Sequence, residues 1–262
     1  MNILLTNDDG IEETGLYALY TALSDVGDVT AIAPASDQSA VGRAMSQQVE
    51  VDSHELGYAV DGTPADCVVV GMQALDTAFD LVVSGCNRGA NLGAYVLGRS
   101  GTVSAAVEAT FFDVPAMAVS MYIPGGDIDF RSFEPSVAEY EEPARATRYL
   151  AETTLESGVF EHADYLNVNI PMTEEGPCDM KITKPSRIYE IDAIENEDHI
   201  VLRDRIFDQL ADGTIDDPDG TDRRAIVDGR VSVSPLTAPH SMNNHETLTE
   251  LASDYAHRVT PE

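Results

Sequence analysis

Met1-Asn2-Ile3-Leu4-Leu5-Thr6-Asn7-Asp8-Asp9-Gly10 opens the chain, and its reading decides the fold class. Ile3, Leu4 and Leu5 form a short apolar run that stops at Asn7-Asp8-Asp9-Gly10, the pattern of a buried strand opening into a polar turn. Two adjacent carboxylates repel each other. They are tolerable when solvent separates them or when a cation lies between them. Neighbouring side chains on a regular strand point to opposite faces, so both reach one cation only where the strand has ended; Gly10 makes such a break plausible. The plain alternative is a solvated Asp-Asp-Gly turn.

Residues 12–26 carry Leu16, Leu19, Tyr20 and Leu23 at helical spacing. That predicts a helix with Glu12 and Glu13 in its first turn, where acids suit the dipole. Residues 28–33 predict a second strand, closed by Pro34. A β-α-β opening implies parallel strands and a right-handed crossover. The polar loop 35–46 leaves the carboxyl end of that strand, the edge at which open α/β sheets bind ligands, so its Ser39 can face the Asp8-Asp9 turn. Residues 49–51 and 58–60 pair as a short hairpin. Thr63 and Pro64 suit the N-cap and first position of a helix ending near Leu75. Residues 79–84 predict a third buried strand, followed by a Gly- and Asn-rich loop, 85–93, that holds Asn87 and Asn91. Ser100-Gly101-Thr102 begins a helix whose hydroxyls and N–H groups suit a phosphate, or serve ordinary capping. Residues 114–120 predict a further strand.

The character changes after residue 124. Residues 136–155 read as a helix, 165–170 as a strand stopped by Pro171, and 181–193 with 199–205 as a long polar hairpin. An acidic, Gly-rich loop follows at 212–222, then a strand at 225–235 and a terminal helix at 245–257. The expected architecture is α/β: a Rossmann-like three-layer core with a mostly parallel sheet over 1–124, and the remainder of the same domain over 125–262.

Composition narrows the function. The 262 residues are 43% hydrophobic, enough for a normal core. No apolar run approaches the roughly 20 residues of a membrane span, and no basic leader precedes the first strand, so a cytoplasmic protein is expected. The net charge is −31, and Lys181 and Lys184 are the only lysines. A Lys-poor, acidic surface on a sound core suits a high-salt cytoplasm, where about 1 M salt shortens the Debye length to roughly 3 Å. It argues against nucleic-acid polymers and anionic membranes as partners. Cys67, Cys86 and Cys178 are far apart and form no disulfide or zinc pattern.

Three strand ends thus carry oxygen donors: Asp8 and Asp9, Ser39, and Asn87. Two carboxylates, a hydroxyl and a carboxamide suit Mg²⁺ or Mn²⁺ rather than zinc. Four such ligands leave about two octahedral positions for water or substrate, where a phosphoryl oxygen could be polarised and a water could become the nucleophile. Asn91, Ser100 and Thr102 could hold the phosphate oxygens.

The Asn7-Asp8-Asp9-Gly10 turn, the Asp37-Gln38-Ser39 loop, Gly62-Thr63-Pro64-Ala65-Asp66, and the Gly/Asn-rich loop followed by Ser100-Gly101-Thr102 together resemble the SurE stationary-phase survival protein family. The ordered match covers most of residues 1–120. Leu166-Asn167-Val168-Asn169-Ile170-Pro171 and Gly220-Thr221-Asp222 extend it weakly into the C-terminal half. The resemblance implies a divalent-metal-dependent nucleotidase cleaving nucleoside 5′- and 3′-monophosphates, with one Mg²⁺ or Mn²⁺ per subunit. It implies metal ligands at Asp8, Asp9, Ser39 and Asn87, catalytic roles for Asp8 and Asp9, and phosphate contacts at Asn91, Ser100, Gly101 and Thr102. It also implies a homodimer or homotetramer assembled through the hairpin near 181–205 and the terminal helix. Ser39-Ala40-Val41-Gly42-Arg43 departs from the family pattern, and Arg43 could be a phosphate contact or surface.

Other classes fit less well. A haloacid-dehalogenase-type phosphatase spaces its two N-terminal Asp at i, i+2, on one face; here they are adjacent. A dinucleotide-dependent oxidoreductase needs GxGxxG after the first strand, which is absent. A non-catalytic nucleotide-binding stress protein, or a phosphatase acting on sugar phosphates or polyphosphate, are the remaining alternatives.

Overall fold

The computed structural model describes residues 1–125, 128, 132–173 and 175–238, together with positions 246, 247, 249, 252 and 253. The opening apolar run forms β1 (Asn2–Thr6), with Ile3 and Leu5 in one core and Leu4 in the other, as a two-residue period requires. The chain continues through α1 (Thr14–Leu23), β2 (Asp28–Pro34), β3 (Val51–His54), β4 (Gly57–Val60), α2 (Pro64–Ala74), β5 (Leu81–Arg88), α3 (Ala94–Leu97), α4 (Gly101–Thr110) and β6 (Ala116–Tyr122). The C-terminal half adds α5 (Glu141–Thr154), β7 (Tyr165–Pro171), β8 (Met180–Ile182), β9 (Ile191–Glu195), β10 (Ile200–Asp204), α6 (Arg205–Ala211), α7 (Asp222–Val227) and β11 (Val231–Leu236).

Nine strands make one sheet in the order β3-β4-β2-β1-β5-β6-β7-β11-β8. β4, β2, β1, β5, β6 and β7 run parallel; β3 and β11 oppose their neighbours β4 and β7. From β1 the chain winds outward to β2, then crosses to add β5 on β1's other flank. The direction of winding therefore reverses between β1 and β5, the place where doubly wound sheets open a ligand crevice. The Asp8-Asp9 turn leaves one of these two strands, and Asn87 lies at the end of the other.

Helices cover both faces. α1 and α5 bury Leu16, Leu19, Leu23 and Leu150 against Ile3, Leu5, Val83 and Val168. On the opposite face α2 and α4 bury Cys67, Val68, Val103 and Ala106 against Leu4, Ile32 and Val82. Thr63 caps α2 through a capping box with Asp66, and Pro64 takes the first turn, as expected from the sequence.

Several boundaries differ from expectation. α1 begins at Thr14, so Glu12 and Glu13 precede it rather than filling its first turn. β5 runs on to Arg88 through residues expected in a loop; a register break between Ser84 and Asn87 accommodates Gly85 and Cys86. The expected long hairpin is shorter: only β9 and β10 form it. Residues 180–182 instead join the main sheet beside β11, and Pro185, which has no N–H to donate, separates the two segments. Three helices were not anticipated: the short α3 in the stretch before Ser100, α6 and α7. α6 is capped by Asp204, and α7 by Thr221 in place of the start of a strand. The expected terminal helix lies largely outside the described residues. Among those described, no helix is long and apolar enough to cross a membrane.

Leu4 is fully buried beneath α2. Leu4→Ala should cost about 2–5 kcal/mol of stability, read as a lower urea midpoint with unchanged slope in molar KCl.

Candidate active site

The turn after β1 is closed by its own asparagine. Asn7 Nδ2 donates to the Gly10 carbonyl at 2.7 Å and Asn7 Oδ1 accepts from Gly10 N–H at 3.2 Å. Gly10 has φ +127°, a region costly for residues with a Cβ. This turn carries Asp8 and Asp9 off the strand, and three other segments meet it. Gln38 N–H donates to the Asp8 carbonyl at 2.7 Å, which brings in the loop after β2. Arg88 N–H donates to Asp9 Oδ2 at 3.0 Å from the end of β5. Thr102 Oγ1 donates to Asp8 Oδ1 at 2.6 Å from the first turn of α4.

Asp8, Asp9, Ser39, Asn87, Asn91 and Ser100 line one cavity of about 750 Å³. Gly101 and Thr102 are buried directly against Asp8: a Cβ on Gly101 would lie 2.7 Å from Asp8 Cβ and 2.9 Å from its Oδ2. All eight expected site residues are therefore gathered at one end of the sheet. Asn87 Nδ2 donates to the Gly89 carbonyl at 2.6 Å, which leaves the carboxamide oxygen as the end it can offer a cation. Ser39 is exposed, and its hydroxyl and N–H both donate to Asp37 Oδ1. Asn91 Nδ2 faces inward, donating to Ser120 Oγ at 2.9 Å and Thr102 Oγ1 at 3.4 Å. Arg43 lies elsewhere, 3.6 Å from Glu108 and stacked over Phe111, which makes it a surface residue rather than a phosphate contact.

Electrostatics at the turn are unfavourable to two negative charges. Burial pushes Asp9 up to about 7, reinforced by the Asp8 charge and by Glu13 and Asp37, against the Arg88 N–H. Burial also raises Asp8, opposed by its hydrogen bonds from Thr102. A second hollow, of about 350 Å³, lies beside Asp9 and is lined by Glu12, Glu13, Asp37 and Glu134. Among the described residues no three carboxylate, imidazole or thiolate groups converge on one point. A cation here would thus be held by two carboxylates completed by Ser39 and Asn87. That all-oxygen set fits a hard divalent ion, and the mutual repulsion of the carboxylates is what such an ion relieves.

The rest of the cavity was not foreseen from the sequence. Val96, Tyr122, Ile123, Phe207 and Ala211 give it an apolar wall, and Arg88 and Arg99 bring positive charge. The Arg99 guanidinium lies 5.3 Å from the Tyr95 ring and 5.9 Å from the Tyr189 ring. The signals for this wall were dispersed: Phe207 and Ala211 sit on α6, four positions apart on one helical face, a helix whose Asp204 cap and Gly213 stop were legible but unread.

These features define an open α/β protein with an acidic, half-apolar cavity at the switch point of its sheet. Its first 190 residues carry the family signature. The family model described as Survival protein SurE matches residues 3–190, and the chain belongs to the SurE family. It is 65% identical over 254 residues to a 5′-nucleotidase SurE from Haloarcula marismortui, covering 97% of this chain and 94% of that relative. It is 59% identical over 256 residues to the Natronomonas pharaonis 5′-nucleotidase SurE, covering 97% and 100%. The crystal structure of the SurE protein from Aquifex aeolicus is similar at a TM-score of 0.77 and 30% identity, covering 98% of this chain and 100% of that one.

The raised Asp9 has a consequence for stability. Its ordinary value is about 3.9, so between about pH 4 and 7 the folded state holds a proton that the unfolded state has lost. Stability of the cation-free protein therefore falls as pH rises through that window. Asp9→Asn should raise the melting temperature of EDTA-treated protein at pH 8, with the gain shrinking toward pH 5. The variant should also lose the upward shift that Mn²⁺ gives the wild type, both read by scanning calorimetry.

Proposed function

We propose that this chain is a cytoplasmic, divalent-metal-dependent phosphomonoesterase that hydrolyses nucleoside 5′- and 3′-monophosphates to nucleoside and phosphate. The observation that carries this reading is the mixed lining of one cavity: Asp8, Asp9 and the Ser100 helix start together with apolar Val96, Ile123 and Phe207. A nucleotide offers both an anionic and an apolar part, and the 5′-nucleotidase activity for which the relatives are named supports the assignment.

Asp8, Asp9, Ser39 and Asn87 would hold one Mg²⁺ or Mn²⁺, which supplies a Lewis acid for the phosphoryl group and lowers the pKa of water. The chain's own contribution is orientation and charge. Ser100 and the N–H groups at the start of α4, at Gly101 and Thr102, favour the anionic phosphoryl group, because the first N–H groups of a helix lack intrahelical acceptors. Thr102 fixes the rotamer of Asp8, and Arg88 N–H fixes that of Asp9. Val96, Tyr122, Ile123 and Phe207 exclude water around the nucleoside and give its base and ribose apolar contact. Arg99 supplies one of the few positive charges on a chain of net charge −31.

A homodimer or homotetramer is the expected assembly. The β9–β10 hairpin supports it: among the described residues the two strands pair only with each other, and Ile194, Ile200, Val201 and Leu202 are exposed on them. Residues 1–124 would form the catalytic core, with 125–262 completing the same domain.

The test is phosphate release from AMP, GMP and glucose 6-phosphate in molar KCl with Mn²⁺, then with EDTA. Release should be faster from the nucleotides, stop with EDTA, and fall by roughly 10²-fold or more in Asp8→Asn. Release that survives both EDTA and the substitution would reject the site.

A further inference from the structure

Six buried polar side chains form a continuous path from the C-terminal half of the chain to Asp8. Asn167 and Asn169 lie on β7, two residues apart and therefore on one face of the strand. That face looks toward α4, and both residues have no solvent exposure. They grip one backbone position. Asn169 Oδ1 accepts from Asn91 N–H at 2.8 Å, and the Asn91 carbonyl accepts from Asn169 Nδ2 at 3.1 Å and Asn167 Nδ2 at 3.0 Å. Asn91, so held, donates its amide protons to Ser120 Oγ on β6 and Thr102 Oγ1 on α4. Thr102, its lone pair engaged, points its own proton at Asp8 Oδ1. Two residues further along the same loop, Gly93 N–H donates to Asp222 Oδ2 at 2.6 Å, and Asp222 Oδ1 accepts from Ser186 N–H at 2.9 Å.

We infer that Asn167, Asn169 and Ser120 are positioning residues for Asp8: they lock the Asn91 loop so that Asn91 and Thr102 hold the carboxylate in one orientation. This rests on the reading of Asp8 as part of the reacting site. Polar groups at zero exposure are costly unless paired, and apolar residues would fill a strand face against α4 as well. Two asparagines that together saturate one backbone amide unit make a rigid clamp. Their target lies next to the cavity rather than in the core. The Ser232–Thr183–Ser234 cluster borders the clamp, with Ser232 opposite Asn169 and Ser234 opposite Asn167. Thr147 on α5, fully buried on the other face of the sheet with its hydroxyl donating to the Pro143 carbonyl at 2.7 Å, provides the control.

The experiment compares Asn169→Ala, Ser120→Ala and the control Thr147→Val, each alone, and the first two also combined with Thr102→Val. Full-length protein in molar KCl is assayed with AMP and Mn²⁺, and Mn²⁺ affinity is measured separately by titration calorimetry. In Asn169→Ala and Ser120→Ala, kcat should fall about tenfold or more while KM changes by less than about threefold. Their effects on kcat should be strongly non-additive with Thr102→Val, because all act through one hydroxyl. Mn²⁺ should bind about tenfold more weakly in both. Thr147→Val should change the melting temperature at most and leave kcat and Mn²⁺ affinity unchanged. Unchanged kcat in the folded variants, or additivity with Thr102→Val, would overturn the clamp. Should Asn169→Ala not fold, Ser120→Ala decides, since it removes a hydroxyl that accepts from the Asn91 side chain and leaves the strand backbone in place. Should the wild type release no phosphate, the nucleotidase reading fails instead, and the clamp stands or falls on the Mn²⁺ affinities alone.

Discussion

Two adjacent carboxylates, one of them 4% exposed, are held at the carboxyl end of the central strand, and much of the surrounding structure answers to that constraint. A buried carboxylate without partners would take up a proton. At Asp8 this tendency is opposed, without being cancelled, because α4 begins directly against it, with the Thr102 hydroxyl as donor and the helix N-terminus as a favourable field. Gly101 is needed for the approach: a side chain there would displace Asp8 itself. Asp9 has only the Arg88 N–H and faces Glu13 and Asp37 as well. The pair is therefore asymmetric, one carboxylate anchored by the protein and the other awaiting a counter-charge.

The same constraint explains why the C-terminal half is built into the sheet rather than appended to it. β7 and β11 extend the sheet beyond β6, and β7 places two amides beneath the loop that leads to α4. Asp222, the cap-proximal residue of α7, reaches the same loop from the far side. A loop of glycines and asparagines is intrinsically mobile, with a large entropy to lose on ordering. Pinning it at Asn91 and Gly93 from two separate elements removes that freedom before any ligand arrives, which is the condition for electrostatic preorganisation.

What was legible in the sequence follows from this layering. β1, β2, α2 and the start of α4 were readable because each combines an apolar period with a local stop or cap, and the Asp8-Asp9 turn was readable because adjacent acids after a buried strand have few explanations. The gathering of Ser39 and Asn87 around that turn was expected from strand ends alone, since parallel strands put their carboxyl ends on one edge. The apolar wall was not legible, because Phe207 and Ala211 lie more than a hundred residues from Asp8 and look like ordinary helix residues. The asparagines of β7 carried a signal, polar residues at i and i+2 inside an otherwise apolar strand. Their purpose depends on long-range hydrogen bonds that no local pattern encodes. The missed α6 and α7 share one cause, that in this acidic segment Asp and Thr caps look like loop residues until the helix behind them is recognised, whereas β8 was misplaced because Pro185 divides the stretch read as one strand.

The net charge raises a last question of capture. An anionic substrate approaching a chain of −31 is repelled at long range, and within the cavity Arg88 and Arg99 face Asp8, Asp9 and Asp208. At about 1 M salt the Debye length is roughly 3 Å, so the distant charges on the surface cease to matter and only contacts at hydrogen-bond range decide binding. The acidic surface then carries no cost for affinity, while the helix N-terminus, the few cavity cations and a cation between Asp8 and Asp9 act at distances that salt does not screen. A site that concentrates its positive potential in short-range elements is the arrangement that would let a strongly acidic protein bind an anion in concentrated salt.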